Sequence, residues 1–241
     1  MLNELKKQVM LWVKDTFEVL VTISVIIVVL RLGFGSQTLV PLVVVTSGSM
    51  LHLDEGWSIW LAGHGIGNDT LESFRFQKGF ARGDMIFTVS PGKYGVFPET
   101  RLGDVVIYKR DLDHLNMFAS TEPIIHRVVG VVSIEDYSVG NVSGTLDCIS
   151  PDDVGDYVGM VRDCQSGGDC AYPDYPEGGD FNFYITKGDN NPGTDQCGFR
   201  GGISYPVNDR QLTARGWIRL PYIGWIKIIF NLLLKILFFW I

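Results

Sequence analysis

Ile124-Ile125-His126-Arg127-Val128-Val129-Gly130-Val131-Val132-Ser133-Ile134 is a run of mostly β-branched residues, and it reads as a strand. Similar runs lie outward from it at 84–89, 104–109 and 181–187, separated by clusters of glycine, proline and Asx residues. Farther upstream, 39–45 is another such run, broken by Pro41. Arg82-Gly83-Asp84-Met85-Ile86-Phe87 and Leu102-Gly103-Asp104-Val105-Val106-Ile107-Tyr108 look alike, each a Gly-Asp turn feeding a strand. Two copies are too few for a repeat protein. No long amphipathic helix is legible between these runs, so residues 36–221 are expected to form a mainly β domain.

The ends have another character. Residues 16–35 are apolar except for Glu18 and Arg31, which stand where they can snorkel to an interface. About 20 such residues cross a bilayer as a helix. Lys6, Lys7 and Lys14 precede the span, which places residues 1–15 in the cytoplasm. A cleavable signal peptide needs a shorter apolar core and a small-x-small site. Gly33-Phe34-Gly35-Ser36 matches that site poorly, so a retained anchor is expected. Residues 222–241 form a second apolar segment in which Lys227, Asn231 and Lys235 share one helical face. A second span is expected there, with an interfacial helix as the alternative, since one lysine at mid-bilayer costs about 2.5–3.5 kcal/mol.

The formal net charge is −7. Residues 36–220 carry 14 basic and 24 acidic side chains, a net of −10. Nucleic-acid binding, which needs clustered Lys and Arg, is not expected. An acidic domain between two mildly basic apolar ends suits an extracytoplasmic domain on a membrane anchor. Cys148, Cys164, Cys170 and Cys197 contain no C-x-x-C pair, which argues against a zinc ribbon. Outside the cytoplasm they suit two disulfides in any of three pairings, with free buried thiols as the alternative. Residues 136–180 hold ten Asp/Glu, one arginine and three of the cysteines, and read as a solvated acidic insertion between paired strands. No calcium-loop pattern occurs in it. Asn68 and Asn141 begin glycosylation sequons.

Chemistry is suggested by pieces that are ambiguous singly. Ser49 follows Gly48 after the 39–45 strand, where a glycine permits a tight backbone that exposes a hydroxyl. A serine nucleophile needs a base, and the base needs an orienter. Of His52, His64, His114 and His126, only His126 lies within a strand-like run, where a structural histidine is the plain alternative. Asp189 follows in a Gly-Asp-Asn-Asn stretch that also suits a turn, and Asp195 lies just past it.

The order Ser47-Gly48-Ser49-Met50, then Gly-Asp-Val-Val-Ile-Tyr, then Ile-His-Arg-Val-Val-Gly, then Thr186-Lys187-Gly188-Asp189-Asn190-Asn191 resembles the type I signal peptidase family. The His-Arg pair is similar to the archaeal and endoplasmic-reticulum branch, whereas bacterial members place a lysine where this chain has His126. The resemblance runs from about Val43 to Asp195, and Pro221-Tyr222-Ile223-Gly224 is similar to the end of the eukaryotic domain. Three departures stand out: Leu51-His52 where the family has x-Pro, about 30 residues with Trp57 and Trp60 before Arg82, and the acidic insertion. The resemblance implies a mainly β, signal-peptidase-like catalytic domain with an N-terminal transmembrane helix and a C-terminal hydrophobic helix. It implies a membrane-bound serine endopeptidase acting on preprotein signal peptides at the cell or endoplasmic-reticulum membrane, with accessory subunits left open. Ser49 is then the nucleophile, His126 the general base and Asp195 the triad acid, with Asp189 as the rival acid. The Ser49 amide and Ser47 hydroxyl form the oxyanion hole, Met50 helps bind substrate, and no metal or organic cofactor is required. A Ser/Lys dyad using Lys109 or Lys187, with His52 as a rival base, and a non-catalytic β domain that binds extracytoplasmic partners are the alternatives. Trp57 and Trp60 suit either the lipid headgroup region or core packing.

Overall fold

The computed structural model describes residues 2–35, 40–92, 97–118, 122–198 and 202–238. Ser36, Leu39 and residues 239–241, which the readings above include, lie outside them, as does the side chain of Lys235. The chain opens with α1 (Leu2–Phe34), so the basic N-terminal stretch continues the helix of the apolar one. From Lys6 to Phe34 this helix is long and apolar enough to cross a membrane, and its apolar window is unburied. Length and composition suit an anchor and a signal sequence alike. Gly35 ends the helix at φ 60°, its N–H donating to the Arg31 carbonyl, a left-handed stop that glycine adopts without penalty.

The body is an antiparallel sheet of β1 (Leu42–Val44), β2 (Met85–Val89), β3 (Val105–Tyr108), β4 (Ile124–Glu135), β5 (Ser138–Gly144), β6 (Phe181–Lys187), β7 (Val207–Asn208) and β8 (Leu212–Leu220). The strand order is β1-β2-β8-β3-β4-β6-β7, with β5 beside β4. Arg127 pairs with Val105 of β3 and Lys187 of β6, while Gly130 pairs with Gly144 of β5 and Ile185 of β6. Strands β3 and β5 therefore share one edge of β4 end to end. A register shift between Val128 and Gly130 moves the facing of β4 by one residue. Ile124 and Val128 pack with Tyr108, Tyr184 and Leu212 on one face. Past the shift, Val129, Val132 and Ile134 face the larger core.

The two look-alike Gly-Asp turns do the same job on either side of β8. Gly83 and Gly103 take φ 90° and 86°, with the Trp225 and Phe74 rings where a Cβ would stand. Asp84 then lies 2.7 Å from the Arg219 Nε, and Asp104 accepts from Arg215 at 2.9 Å. Two inward-facing arginines make β8 hard to recognise as a strand from sequence, and these carboxylates are what let it sit between β2 and β3.

The acidic insertion is more than a surface excursion. It contains α5 (Pro151–Gln165), opened by a Ser150–Asp153 capping box with proline at the start. Val154, Val158, Val161 and Cys164 recur at helical spacing and are buried against β4 and β6 in the main core. The expectation of no long amphipathic helix is corrected here: the carboxylates occupy the solvent face and mask the stripe. Two further short helices, α2 (Gly56–Gly63) and α3 (Asn68–Glu72), cover the same core. A third, α4 (Leu112–Phe118), follows β3. Trp57 and Trp60 pack half-buried against that core.

The C-terminal α6 (Trp225–Phe238) has 14 residues, about 21 Å at 1.5 Å per residue, against a hydrocarbon core of about 30 Å. Among the described residues only α1 has the length to span.

Candidate active site

Strand β1 sits at the edge of the sheet and delivers the serines. Val45 is pinned on both sides by the Gly83-Asp84 turn, its N–H donating to the Asp84 carbonyl and its carbonyl accepting from Gly83. After it the chain surfaces for Thr46, Ser47 and Gly48, then dives at Met50. Met50 is fully buried with Val45, Phe80, Ile86 and Val105. It therefore anchors the serine loop from below and does not line a substrate groove, contrary to the expected substrate-binding role. Gly48 does not have a positive φ, and a Cβ there would meet open space, so neither feature requires a glycine at this position. Ser49 Oγ lies 3.1 Å from Ser47 Oγ. The Asn190 N–H donates to the Ser49 carbonyl at 2.7 Å, and the Asn190 side-chain amide to the Gly48 carbonyl at 3.2 Å. Among the described residues the Ser49 N–H donates to no protein acceptor.

His126 is buried on β4, opposite Val106 of β3. Its Nδ1 lies 2.6 Å from Asp195 Oδ2. That oxygen also accepts from the Tyr108 hydroxyl at 2.8 Å and the Thr186 hydroxyl at 2.7 Å. Burial, and then the Asp195 carboxylate, push the Tyr108 phenol well above its usual range, so it stays a donor. With a carboxylate on Nδ1, the imidazole proton sits there and Nε2 is left as the basic nitrogen. Asp195 reaches this position because its N–H donates to the Thr186 carbonyl and its own carbonyl accepts from Ile203.

Ser47, Ser49 and His126 line one groove of about 540 Å³. Val44, Ile124 and Ile125 supply its apolar wall, and Lys227 of α6 stands at its margin. Among the described residues, Ser49 Oγ and His126 Nε2 are not within hydrogen-bond distance of each other; the hydroxyl rests on Ser47. Such contacts commonly tighten only when substrate is bound.

Asp189 belongs to a different network. Arg127, the residue after His126, points to the other face of β4 and grips Asp189 through two parallel bonds of 2.8 Å. Its remaining N–H groups reach the carbonyls of Arg75, Phe76 and Gly103, so all five donors of this fully buried guanidinium are used. His52 Nε2 lies 2.7 Å from Asp189 Oδ2, its Nδ1 lies 2.8 Å from the Gln77 carbonyl, and its ring stacks on Trp57. Burial would raise the Asp189 pKa, but Arg127 and His52 outweigh it and bring it down to about 2. The carboxylate thus serves Arg127 and His52 rather than local backbone, and both nitrogens of His52 are engaged away from Ser49. The expectation of Asp189 as a rival triad acid is not met by this geometry.

The glycine that the site does require is Gly188. A Cβ there would fall 2.6 Å from the Asn191 side chain and 2.9 Å from His126 Nε2. The lysines are occupied elsewhere. Lys109 pairs with Asp174 at the surface. Lys187 is buried over the Trp60 ring and donates to the Gly188 and Asp189 carbonyls; burial lowers its pKa. The cysteines pair as Cys148–Cys197 and Cys164–Cys170. Among the described residues, the one cluster with metal-ligand character, Asp147 with Cys148 and Cys197, spends both sulfurs on a disulfide. Tyr108, Thr186 and Asn190 were not singled out from the sequence, although all three lie within the quoted motifs.

No protein-family model matches the chain, and searches of curated proteins and of solved structures likewise return no match.

Proposed function

We propose that this chain is a membrane-anchored serine endopeptidase that removes N-terminal signal peptides from exported preproteins. The observation that carries the reading is the 2.6 Å contact of Asp195 with His126 Nδ1, which leaves Nε2 basic in a groove shared with Ser49. Ser49 Oγ attacks the scissile carbonyl carbon while His126 Nε2 takes its proton. The resulting oxyanion is met by the Ser49 N–H and the Ser47 hydroxyl, donors of a kind worth about 2.7–4 kcal/mol each. His126 then protonates the leaving amine, and water releases the acyl group by the reverse sequence. Substrate supplies the remaining closure between Ser49 and His126 by displacing the hydroxyl from Ser47.

The resemblance in motif order supports the substrate class. So does the short connection from α1 to Ser49, which keeps the groove near the surface from which a signal peptide's cleavage site emerges. In this reading α1 anchors the chain with its N-terminus in the cytoplasm, and the body lies in an extracytoplasmic compartment where two disulfides persist.

The test is cleavage of a model preprotein by the lipid-reconstituted full chain, together with labelling by a fluorophosphonate. Wild type should cleave at the signal-peptide boundary and label. Ser49→Ala and His126→Ala should do neither, while Ser47→Ala should cleave more slowly. Substantial turnover by Ser49→Ala removes the mechanism.

A further inference from the structure

The loop that leaves β6 touches both halves of the proposed machinery. Asn190 holds the backbone of Ser49 and Gly48, Gly188 abuts His126 Nε2, and Asp195 holds His126 Nδ1. Ser49 and His126 themselves arrive on separate strands, so their alignment depends on this one loop. Its far end is tied covalently by Cys197 to Cys148, which follows β5. The tie is braced: the Thr194 N–H donates to Asp147 Oδ2 at 3.2 Å, and Asp147 Oδ1 lies 3.4 Å from His64 Nε2 at the end of α2. Cys148 is exposed, and Cys197 is two residues from Asp195. The second disulfide, Cys164–Cys170, spans six residues at the end of α5, has its Cys164 side buried, and touches no residue of the groove.

We propose that the Cys148–Cys197 disulfide is a redox-sensitive positioning element that sets the alignment of Asp195, His126 and Ser49. This rests on the endopeptidase reading above. A dithiol reductant opens it in two steps. One thiolate attacks the exposed Cys148 sulfur, and Cys197 leaves and takes up a proton. The second thiol of the reductant then closes its own disulfide and releases Cys148 as a thiol, so two electrons pass to the protein. The loop then keeps its backbone bonds to Thr186 and Ile203 but loses its covalent tie, and Asp195 and Asn190 shift against His126 and Ser49. Most of the apolar groove wall comes from β1 and β4 and keeps its place, while Asn191 and Ile203 of the segment after β6 also line the groove. Turnover therefore falls while substrate binding is largely kept.

The experiment uses the full chain in lipid, with kcat and KM measured on a model preprotein. Wild type is assayed oxidised, reduced by dithiothreitol and reoxidised. The Cys148→Ser/Cys197→Ser and Cys164→Ala/Cys170→Ala pairs are assayed alongside. Thiol titration reports which bond is open, and circular dichroism with thermal melting reports folding. Opening Cys148–Cys197 should lower kcat by about 10- to 100-fold, the scale of a misplacement near 1 Å, with KM within about twofold. Reoxidation should restore wild type and leave the serine pair low, and the Cys164/Cys170 pair should keep wild-type kcat whatever its melting point. Where the serine pair does not fold, the reversible arm on folded wild type decides. A kcat within twofold of the oxidised value, in folded protein with the bond shown open, overturns the proposal. So does an equal loss in the Cys164/Cys170 pair. If the oxidised wild type neither cleaves nor takes up a fluorophosphonate, the endopeptidase reading itself fails, and this proposal with it.

Discussion

Exchanging Asp195 and, separately, Asp189 for asparagine separates two carboxylates that stand six residues apart. In Asp195→Asn the amide must choose between two placements. Asp195 Oδ2 faces three groups, His126 Nδ1 and the hydroxyls of Tyr108 and Thr186, whereas Oδ1 is buried with no partner among the described residues. An NH2 in the Oδ1 position would be an unsatisfied buried donor, costing about 1–3 kcal/mol. The amide nitrogen therefore takes the Oδ2 position, where it has two hydrogens for three neighbours: one goes to a hydroxyl of the Tyr108–Thr186 pair, whose two oxygens also bond each other, and the other is aimed at His126. His126 Nδ1 must then accept as well, which moves the ring proton to Nε2 and disables the base. The same wrong-tautomer effect costs about 10⁴ in turnover in the serine-protease template, or about 5.5 kcal/mol at 1.36 kcal/mol per decade. That variant is expected to be inactive with a nearly unchanged melting point. In Asp189→Asn the loss is structural: the fully buried Arg127 keeps its charge and loses its partner, a change of about 3–5 kcal/mol. For a chain of this size that is a fall of about 6–20 °C in Tm, with measurable cleavage below it. Both variants are assayed for preprotein cleavage and thermal melting on one preparation. Asp195→Asn within tenfold of wild type, beside an inactive Asp189→Asn that melts normally, would refute the assignment.

Three further outcomes follow from the same geometry. Gly188→Ala places a methyl group 2.9 Å from His126 Nε2, so kcat should fall at least tenfold with the fold intact, whereas Gly48→Ala, which meets open space, should leave the melting point within about 1 °C; equal melting and activity losses in both would contradict this. Tyr108→Phe removes one of three donors to Asp195 Oδ2, a charge-assisted bond of about 1.5–3 kcal/mol, and should lower kcat/KM by about tenfold or more while leaving Ser49 reactive to a fluorophosphonate. Acid melting should report Asp189. Its folded pKa of about 2 lies below its unfolded value of 3.8, so its stabilisation, on the order of 2 kcal/mol, is present above pH 4 and is lost as the pH falls toward 2; Asp189→Asn should flatten that limb of the Tm profile, and an unchanged limb would count against the pairing.

The sequence pattern made most of the sheet legible. Strands β2, β3, β4 and β6 coincide closely with their apolar runs, because β-branched stretches between turn residues have few other stable states. Strands β5, β7 and β8 and the helices between the ends escaped, β8 and α5 being the most consequential. Strand β8 carries Arg215 and Arg219 toward the interior, and only the aspartates of two distant turns make that tolerable. Helix α5 hid behind its carboxylates, although Ser150-Pro151-Asp152-Asp153 is a helix-start signal and its valines recur at helical spacing. The acidic composition of 136–180 masks that period.

What the sequence determined by itself was the cast and its order: an apolar N-terminal helix, a strand leading to Ser47-Gly48-Ser49, a strand carrying His126-Arg127, and a later turn with Asp189 followed by Asp195. It could not say which aspartate meets which partner, since Asp189 and Asp195 lie six residues apart in one loop. The tertiary structure decides it through the alternation of β4. Adjacent residues on a strand point to opposite faces, so His126 and Arg127 open on two different environments. The loop leaving β6 passes both. Asp189 is caught on the Arg127 face, among Trp57, Phe74 and His52. Asp195 returns to the His126 face beside Tyr108 and Thr186, because its backbone is held by Thr186 and Ile203. Non-local backbone bonds of that kind leave no trace in local composition, so the pairing of acids with bases belongs to the fold alone.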